Sequence, residues 1–196
     1  MTDSRKETAD SLIWQPLFQQ RLFRTLMKAF SYPGRCYHLP PGLQPQKAVM
    51  AILATLADAE VSVADCTQQL DALDQQRLGA PVVDPSEARF VVAAAERAPD
   101  FTPSIGSLES PELSATLLLP VKALGTALAQ GLQLSLTGAG VQGQRSLAVA
   151  GLHPDWLTSR QRWNQSFPMG VELLLCDGMQ LVALPRTTRI QCKRIN

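Results

Sequence analysis

The sequence predicts an α/β domain built on one mixed sheet, and three observations lead there. Helical periodicity is concentrated near the start, where Leu17, Phe18, Leu22, Phe23, Leu26, Met27 and Phe30 recur at three- and four-residue spacing. Hairpin signals are concentrated near the end, with Asp177-Gly178 the strongest of them. Between these regions short apolar runs alternate with helical segments, the pattern of strands carried beside helices.

Taken in order, the first helix covers about four turns and stops at the breaker pair Pro33-Gly34. Arg35 to Leu39 alternates weakly and suits a short strand. A second helix is expected from Pro45 to Ala57, with Val49, Ile52, Leu53 and Leu56 on one face. Val61 to Val63 reads as a buried strand. Asp65 or Thr67 is placed to cap a third helix carrying Leu70, Leu73 and Leu78 and ending at Gly79. Pro81 to Val83 and Arg89 to Ala94 read as strands, and residues 97–113, rich in proline and serine, as an irregular segment. Ala115 to Val121 suits an inner strand. Leu132 to Thr137 and Arg145 to Val149 both alternate, and the glycines between them predict a hairpin. Pro154 opens a helix with Trp156, Leu157, Arg160 and Trp163 on its face. Three strands, Val171 to Cys176, Gln180 to Leu184 and Thr188 to Cys192, follow it.

Composition narrows the function. A chain of 196 residues with 45% hydrophobic and 18% charged residues has material for one core. Residues 1–13 are expected to form a flexible tail, and residues 14–196 a single α/β domain. A formal net charge of +1 argues against non-specific nucleic-acid binding, which needs a basic surface. No apolar run is long enough for a bilayer. Met1 to Asp10 is polar and carries acidic residues, unlike a signal peptide, so a cytoplasmic protein is expected. Cys36, Cys66, Cys176 and Cys192 form no close pair, and only His38 and His153 could join them. Metal motifs need closer ligands, so no metal site is expected.

Among the motifs, Gly138-Ala139-Gly140-Val141-Gln142-Gly143 has the form of a dinucleotide-binding loop. Its context argues otherwise, because Gln144 to Ala150 is too short and alternating for the required helix. A glycine-rich turn is the better reading, and its N–H groups can still meet an anion. Pro185-Arg186-Thr187-Thr188 ends an apolar strand with a guanidinium beside two hydroxyls, a pattern suited to phosphate or carboxylate. An ordinary surface arginine reads the same way. Arg24 and Lys28 flank the apolar stripe of the first helix, where solvated heads on packed stems are the simpler interpretation. Phe167-Pro168-Met169-Gly170 reads as a rigid turn. Glu172, alone in an apolar strand, faces solvent, a partner or a site. No nucleophile elbow, zinc-binding helix or phosphate-binding lysine loop is present in the sequence.

Four segments resemble the PhnH family, the H subunit of the bacterial carbon–phosphorus lyase core complex. They are Phe23 to Gly34, Leu136 to Val141, Phe167 to Glu172 and Leu184 to Thr188, in the same order over about Trp14 to Gln191. Glu172 stands where the family often has Asp. The resemblance implies a three-layer α/β/α sandwich similar to the large domain of pyridoxal-phosphate-dependent transferases, without the cofactor. It also implies a homodimer placed with the G, I and J subunits. That complex joins the ribose triphosphate of ATP to a phosphonate and releases adenine, the ribose 1-methylphosphonate 5-triphosphate synthase step. Within it the chain would act mainly as a scaffold, or would contribute anion-binding residues. Those candidates are Arg24, Thr137, Gly138, Glu172, Arg186 and Thr187, with no catalytic residue assigned. A free-standing pyridoxal-phosphate transferase is the alternative from another class.

Overall fold

A computed structural model describes residues 11–195 of the chain. The first ten positions of the expected tail, residues 1–13, lie outside the described residues, while Ile13 is buried in the core. Helix α1 spans Pro16–Ser31 and begins with a proline, whose missing N–H would have had no helical partner there. It buries Phe18, Leu22, Leu26 and Ala29 along one stripe. Leu17, Phe23 and Met27 share the helical spacing but lie outside that stripe, and all three are exposed. The helix stops where the Tyr32 N–H bonds the Lys28 carbonyl, just before Pro33 and a left-handed Gly34.

Helix α2, Ala48–Leu56, follows a single 3-10 turn at Pro45–Lys47 and is buried continuously from Ala48 to Leu53. Helix α3, Ala72–Leu78, is capped by Asp71, whose carboxylate accepts the Asp74 N–H at 2.8 Å. The sequence suggested Asp65 or Thr67 for that role. Asp65 instead accepts from the N–H groups of Thr67 and Leu70, shaping the approach to the helix. Gly79 closes it in the left-handed conformation as expected.

The strands are β1 Tyr37–His38, β2 Val63–Asp65, β3 Phe90–Val92, β4 Thr116–Pro120, β5 Ala123–Gly125, β6 Gly131–Thr137, β7 Arg145–Ala150, β8 Glu172–Cys176, β9 Gln180–Leu184 and β10 Arg189–Ile195. The expected mixed sheet is present, in the order β1-β9-β8-β4-β3-β2, with β2, β3, β4 and β8 parallel and β9 antiparallel to both its neighbours, β8 and β1. The expectation of one sheet is corrected by a second, antiparallel sheet in the order β10-β6-β7-β5. For β10, the last strand to join it, the cause lies after β9. Pro185 has no N–H for a continuing ladder, and the Thr188 N–H folds back to the Pro185 carbonyl at 2.9 Å. The chain turns out of the mixed sheet there and pairs along β6.

Alternation along the central strands divides the core. Leu118, Leu174, Leu181 and Ala183 face α1, α2 and α3, whereas Leu117, Leu119, Leu173, Leu175, Val182 and Leu184 face the second sheet. That second side also holds helix α4, Asp155–Trp163, docked by the buried Trp156 between Phe101 and Trp163. The expected α/β/α layering is thus met on one face only. On the other, a four-stranded sheet and a single helix share the outer layer.

The loop Gly138 to Gly143 joins antiparallel β6 and β7, so the glycine motif is a hairpin turn. Gly140 has φ +75°, and a Cβ there would lie 2.4 Å from the Ser31 carbonyl oxygen at the end of α1. We expect Gly140→Ala to lower stability by about 2 kcal/mol, since a left-handed backbone and a steric contact act together. Denaturant midpoints of the two proteins check this. An unchanged midpoint would mean that the hairpin and α1 are not in contact.

Candidate functional site

The corner between β9 and β10, Pro185 to Thr188, gathers most of the polar side chains buried in the second half of the chain. Arg186 is held on every side. Its Nη1 donates to the carbonyls of Pro111 and Pro168, both at 2.8 Å, and its Nη2 donates to Ser114 Oγ at 2.6 Å. Its Nε lies 3.5 Å from the Glu172 carboxylate. The planar fork therefore ties the corner to the irregular 97–113 segment, to the turn before β8 and to the first residue of β8. Arg89 reaches the same place, donating to the Ser114 carbonyl at 3.3 Å. Burial lowers the pKa of its guanidinium, and the Glu112 carboxylate opposes that shift.

Asn164, just after α4, bonds both the N–H and the carbonyl of Val171, at 2.7 and 3.1 Å. A Cβ on Gly170 would lie 2.5 Å from the Asn164 side-chain oxygen, which explains the glycine at the end of the Phe167 to Gly170 turn. From α4 itself, Arg160 Nη2 donates to the Pro185 carbonyl. Arg160 is only 4% exposed, and burial pushes its pKa down to about 10, with Glu172 acting in the opposite direction. Among the described residues its Nε has no hydrogen-bond partner, and neither does the buried Thr188 Oγ1.

Between α4 and β10 lies a cleft of about 640 Å³. Among the described residues four arginines line it, Arg160, Arg186, Arg189 and Arg194, and no carboxylate does. Leu132, Pro154, Leu157 and Ile190 supply apolar wall. Arg189 and Arg194 are exposed and, among the described residues, make no ion pair.

Five of the six residues singled out from sequence come together at this corner. Glu172 pairs with Arg186, and Thr187 follows it on the exposed bend. Thr137 lies opposite Arg189 in the β6–β10 ladder. Gly138 abuts the same bend, where a Cβ would sit 2.6 Å from the Thr187 carbonyl oxygen. Arg24 stands apart, exposed on α1 and without hydrogen bond or ion pair among the described residues. Sequence reasoning missed Ser114 and Asn164, placed Arg160 only on a helix face, and named Thr188 in the Pro185 to Thr188 motif without counting it among the binding candidates. For Arg160 a signal existed, since it lies four residues after Trp156 on the face that docks α4. A buried arginine on such a face is unusual.

A family profile described as bacterial phosphonate metabolism protein (PhnH) matches residues 11–191. The chain belongs to this family. It is 42% identical over 181 residues to HtxG of Stutzerimonas stutzeri, provisionally named a C-P lyase subunit protein, covering 92% of this chain and 90% of that one. It is 31% identical over 202 residues to the alpha-D-ribose 1-methylphosphonate 5-triphosphate synthase subunit PhnH of Rhizobium meliloti, covering 94% and 98%. Membership in the PhnH family agrees with the sequence resemblance over nearly the whole chain.

Cys36, Cys66 and Cys176 pack against the core, whereas Cys192 is exposed. Burial pushes Cys176 up to about 12 and raises Cys36 and Cys66, so these thiols stay protonated near neutral pH. All four cysteines are free.

Arg186→Ala removes three hydrogen bonds and an ion pair from a half-buried clasp. The expected cost is about 3 kcal/mol, and Arg186→Lys should recover only part of it, because one ammonium cannot span the fork. Thermal melts of both variants read this directly. A wild-type melting temperature for Arg186→Ala would show that the clasp adds nothing to the fold.

Proposed function

We propose that the chain is a subunit of a carbon–phosphorus lyase core complex and serves the synthase step of phosphonate use. In that step a phosphonate oxygen bonds ribose C1′ of ATP as the bond to adenine breaks, and adenine leaves with a proton. The observation that carries the reading is the end-to-end kinship with the Rhizobium meliloti synthase subunit. The proposed partners are a second copy of the chain and the G, I and J subunits, in the cytoplasm, with ATP and phosphonate as substrates of the whole assembly.

The main role proposed is scaffolding. Leu17, Phe23 and Met27 on α1, and Leu108 and Leu113 on the 97–113 segment, are exposed apolar side chains of the kind a subunit covers on assembly. The grip of Arg186 on its own chain supports the same reading, because a guanidinium holding three loops together serves the fold first. A secondary role is direct contact with phosphate or phosphonate oxygens by the group around Arg186, namely Thr187, Glu172, Thr137 and Gly138, with Arg24 supplied from another side. The fold kinship with pyridoxal-phosphate transferases belongs to this reading too, and the parallel run β2-β3-β4-β8 is consistent with it. The free-standing transferase alternative predicts a visible absorption band in the purified protein, whereas the subunit reading predicts none.

Deletion of the gene from its own host should abolish growth with a phosphonate as sole phosphorus source and leave growth on phosphate intact. Restoring the gene in trans should restore growth. Undiminished growth of the deletion strain on phosphonate would exclude the role.

A further inference from the structure

We infer that the cleft between α4 and β10 binds the phosphoryl or phosphonyl group of a small organic molecule through Arg160, Thr188, Arg189 and Arg194. The site is built from one chain, so it stands or falls independently of any partner subunit.

The argument begins with Arg160. Removing a cation from water costs several kcal/mol unless a counter-charge or a full set of hydrogen bonds replaces the solvent. Arg160 is 4% exposed, has no ion pair among the described residues, and donates to one carbonyl, that of Pro185. Its Nε is buried without a partner among the described residues. If anchoring the Pro185 carbonyl were its whole task, a neutral amide of similar reach would perform it without burying charge. The rest of the guanidinium suits an acceptor with negative charge and more than one oxygen.

Thr188 provides an independent second observation. It is 2% exposed, and its Oγ1 also lacks a partner among the described residues. The two residues line the same cleft from different elements, Arg160 from α4 and Thr188 from the start of β10. A tetrahedral oxyanion presents several acceptor oxygens; both donor atoms are covered as the side chains stand, and a rotation of each would turn them to it. Arg189 and Arg194 add two unpaired guanidiniums to the cleft lining, while Arg186 is already compensated by Glu172. The field in the cleft therefore favours an anion of more than one charge.

Size and lining define the rest of the ligand. A cleft of about 640 Å³ falls within the usual range for small-molecule sites and exceeds what a bare tetrahedral ion fills. Leu132, Pro154, Leu157 and Ile190 lie along it, so an apolar or ring-bearing portion can pack beside the charged group. A phosphate ester and a phosphonate share this chemistry.

The test uses the isolated protein at constant ionic strength, with phenyl phosphate, phenylphosphonate and benzoate titrated and followed by calorimetry and phosphorus NMR. Saturable binding of one or both phosphorus probes, with benzoate weaker, is expected. The tighter of the two identifies the ester or the phosphonate as the source. Thr188→Val keeps the side-chain shape and should weaken binding about tenfold, the effect of losing one charge-assisted contact. The double variant Arg189→Gln, Arg194→Gln should weaken it by at least as much. Arg160→Gln is the most direct change, and the other variants carry the test if it fails to fold. Absence of saturable binding by either phosphorus probe would overturn the inference. So would binding that none of these substitutions alters.

Discussion

The architecture depends on one constraint, the way the chain leaves the mixed sheet after Leu184. Proline at 185 ends the ladder, and the following bend must be held while β10 pairs with β6. Groups from α4, from the segment before β4 and from the turn leading into β8 converge on that bend. Arg160 bonds its first carbonyl, and Arg186 reaches outward to Pro111, Ser114, Pro168 and Glu172. Those ties, together with the Leu124 N–H bonded to the Asp177 carboxylate at the β8–β9 hairpin, fix how the two sheets register. Apolar packing is non-directional, and the hydrogen bonds at the corner supply the direction.

The two arginines at the corner illustrate how the same side chain serves different ends. Arg186 has its charge matched and its donors filled from within the chain. Arg160 is more deeply buried and less well satisfied, and its guanidinium lines an acid-free cleft. A protein that needed only a stable corner would gain by matching both. Leaving one unmatched, beside an unpartnered threonine hydroxyl, lowers stability and preserves a place for an external anion.

Much of this was legible in the sequence, and the failures have identifiable causes. The first helix, the Asp177-Gly178 hairpin and the glycine turn between β6 and β7 followed from periodicity and turn chemistry, which are local. The second sheet did not, because alternation specifies which residues face inward without naming the strand that pairs with them. β10 alternates equally well as a continuation of the mixed sheet or as a partner of β6. Only the proline at 185 hinted at the change. Leu17, Phe23 and Met27 fitted the helical pattern yet are exposed, since apolar residues spread over more than one face cannot all meet the same core. At the site, Arg186 and Glu172 were conspicuous because each interrupts an apolar context. Arg160 was read as part of the helix face, where its spacing from Trp156 points to burial, but the bareness of its Nε among the described residues has no sequence signal. Ser114 and Asn164 act through tertiary contacts and were silent.

Family membership gives these features a setting in phosphonate metabolism, and the exposed apolar side chains of α1 and of the 97–113 segment fit a chain that works in company. The most direct measurement is the mass of what a tagged copy of this chain retains when it is expressed together with the G, I and J subunits. The account predicts a stoichiometric assembly containing all four kinds of chain. Recovery of the chain alone, with the other three soluble and present in the same extract, would contradict it.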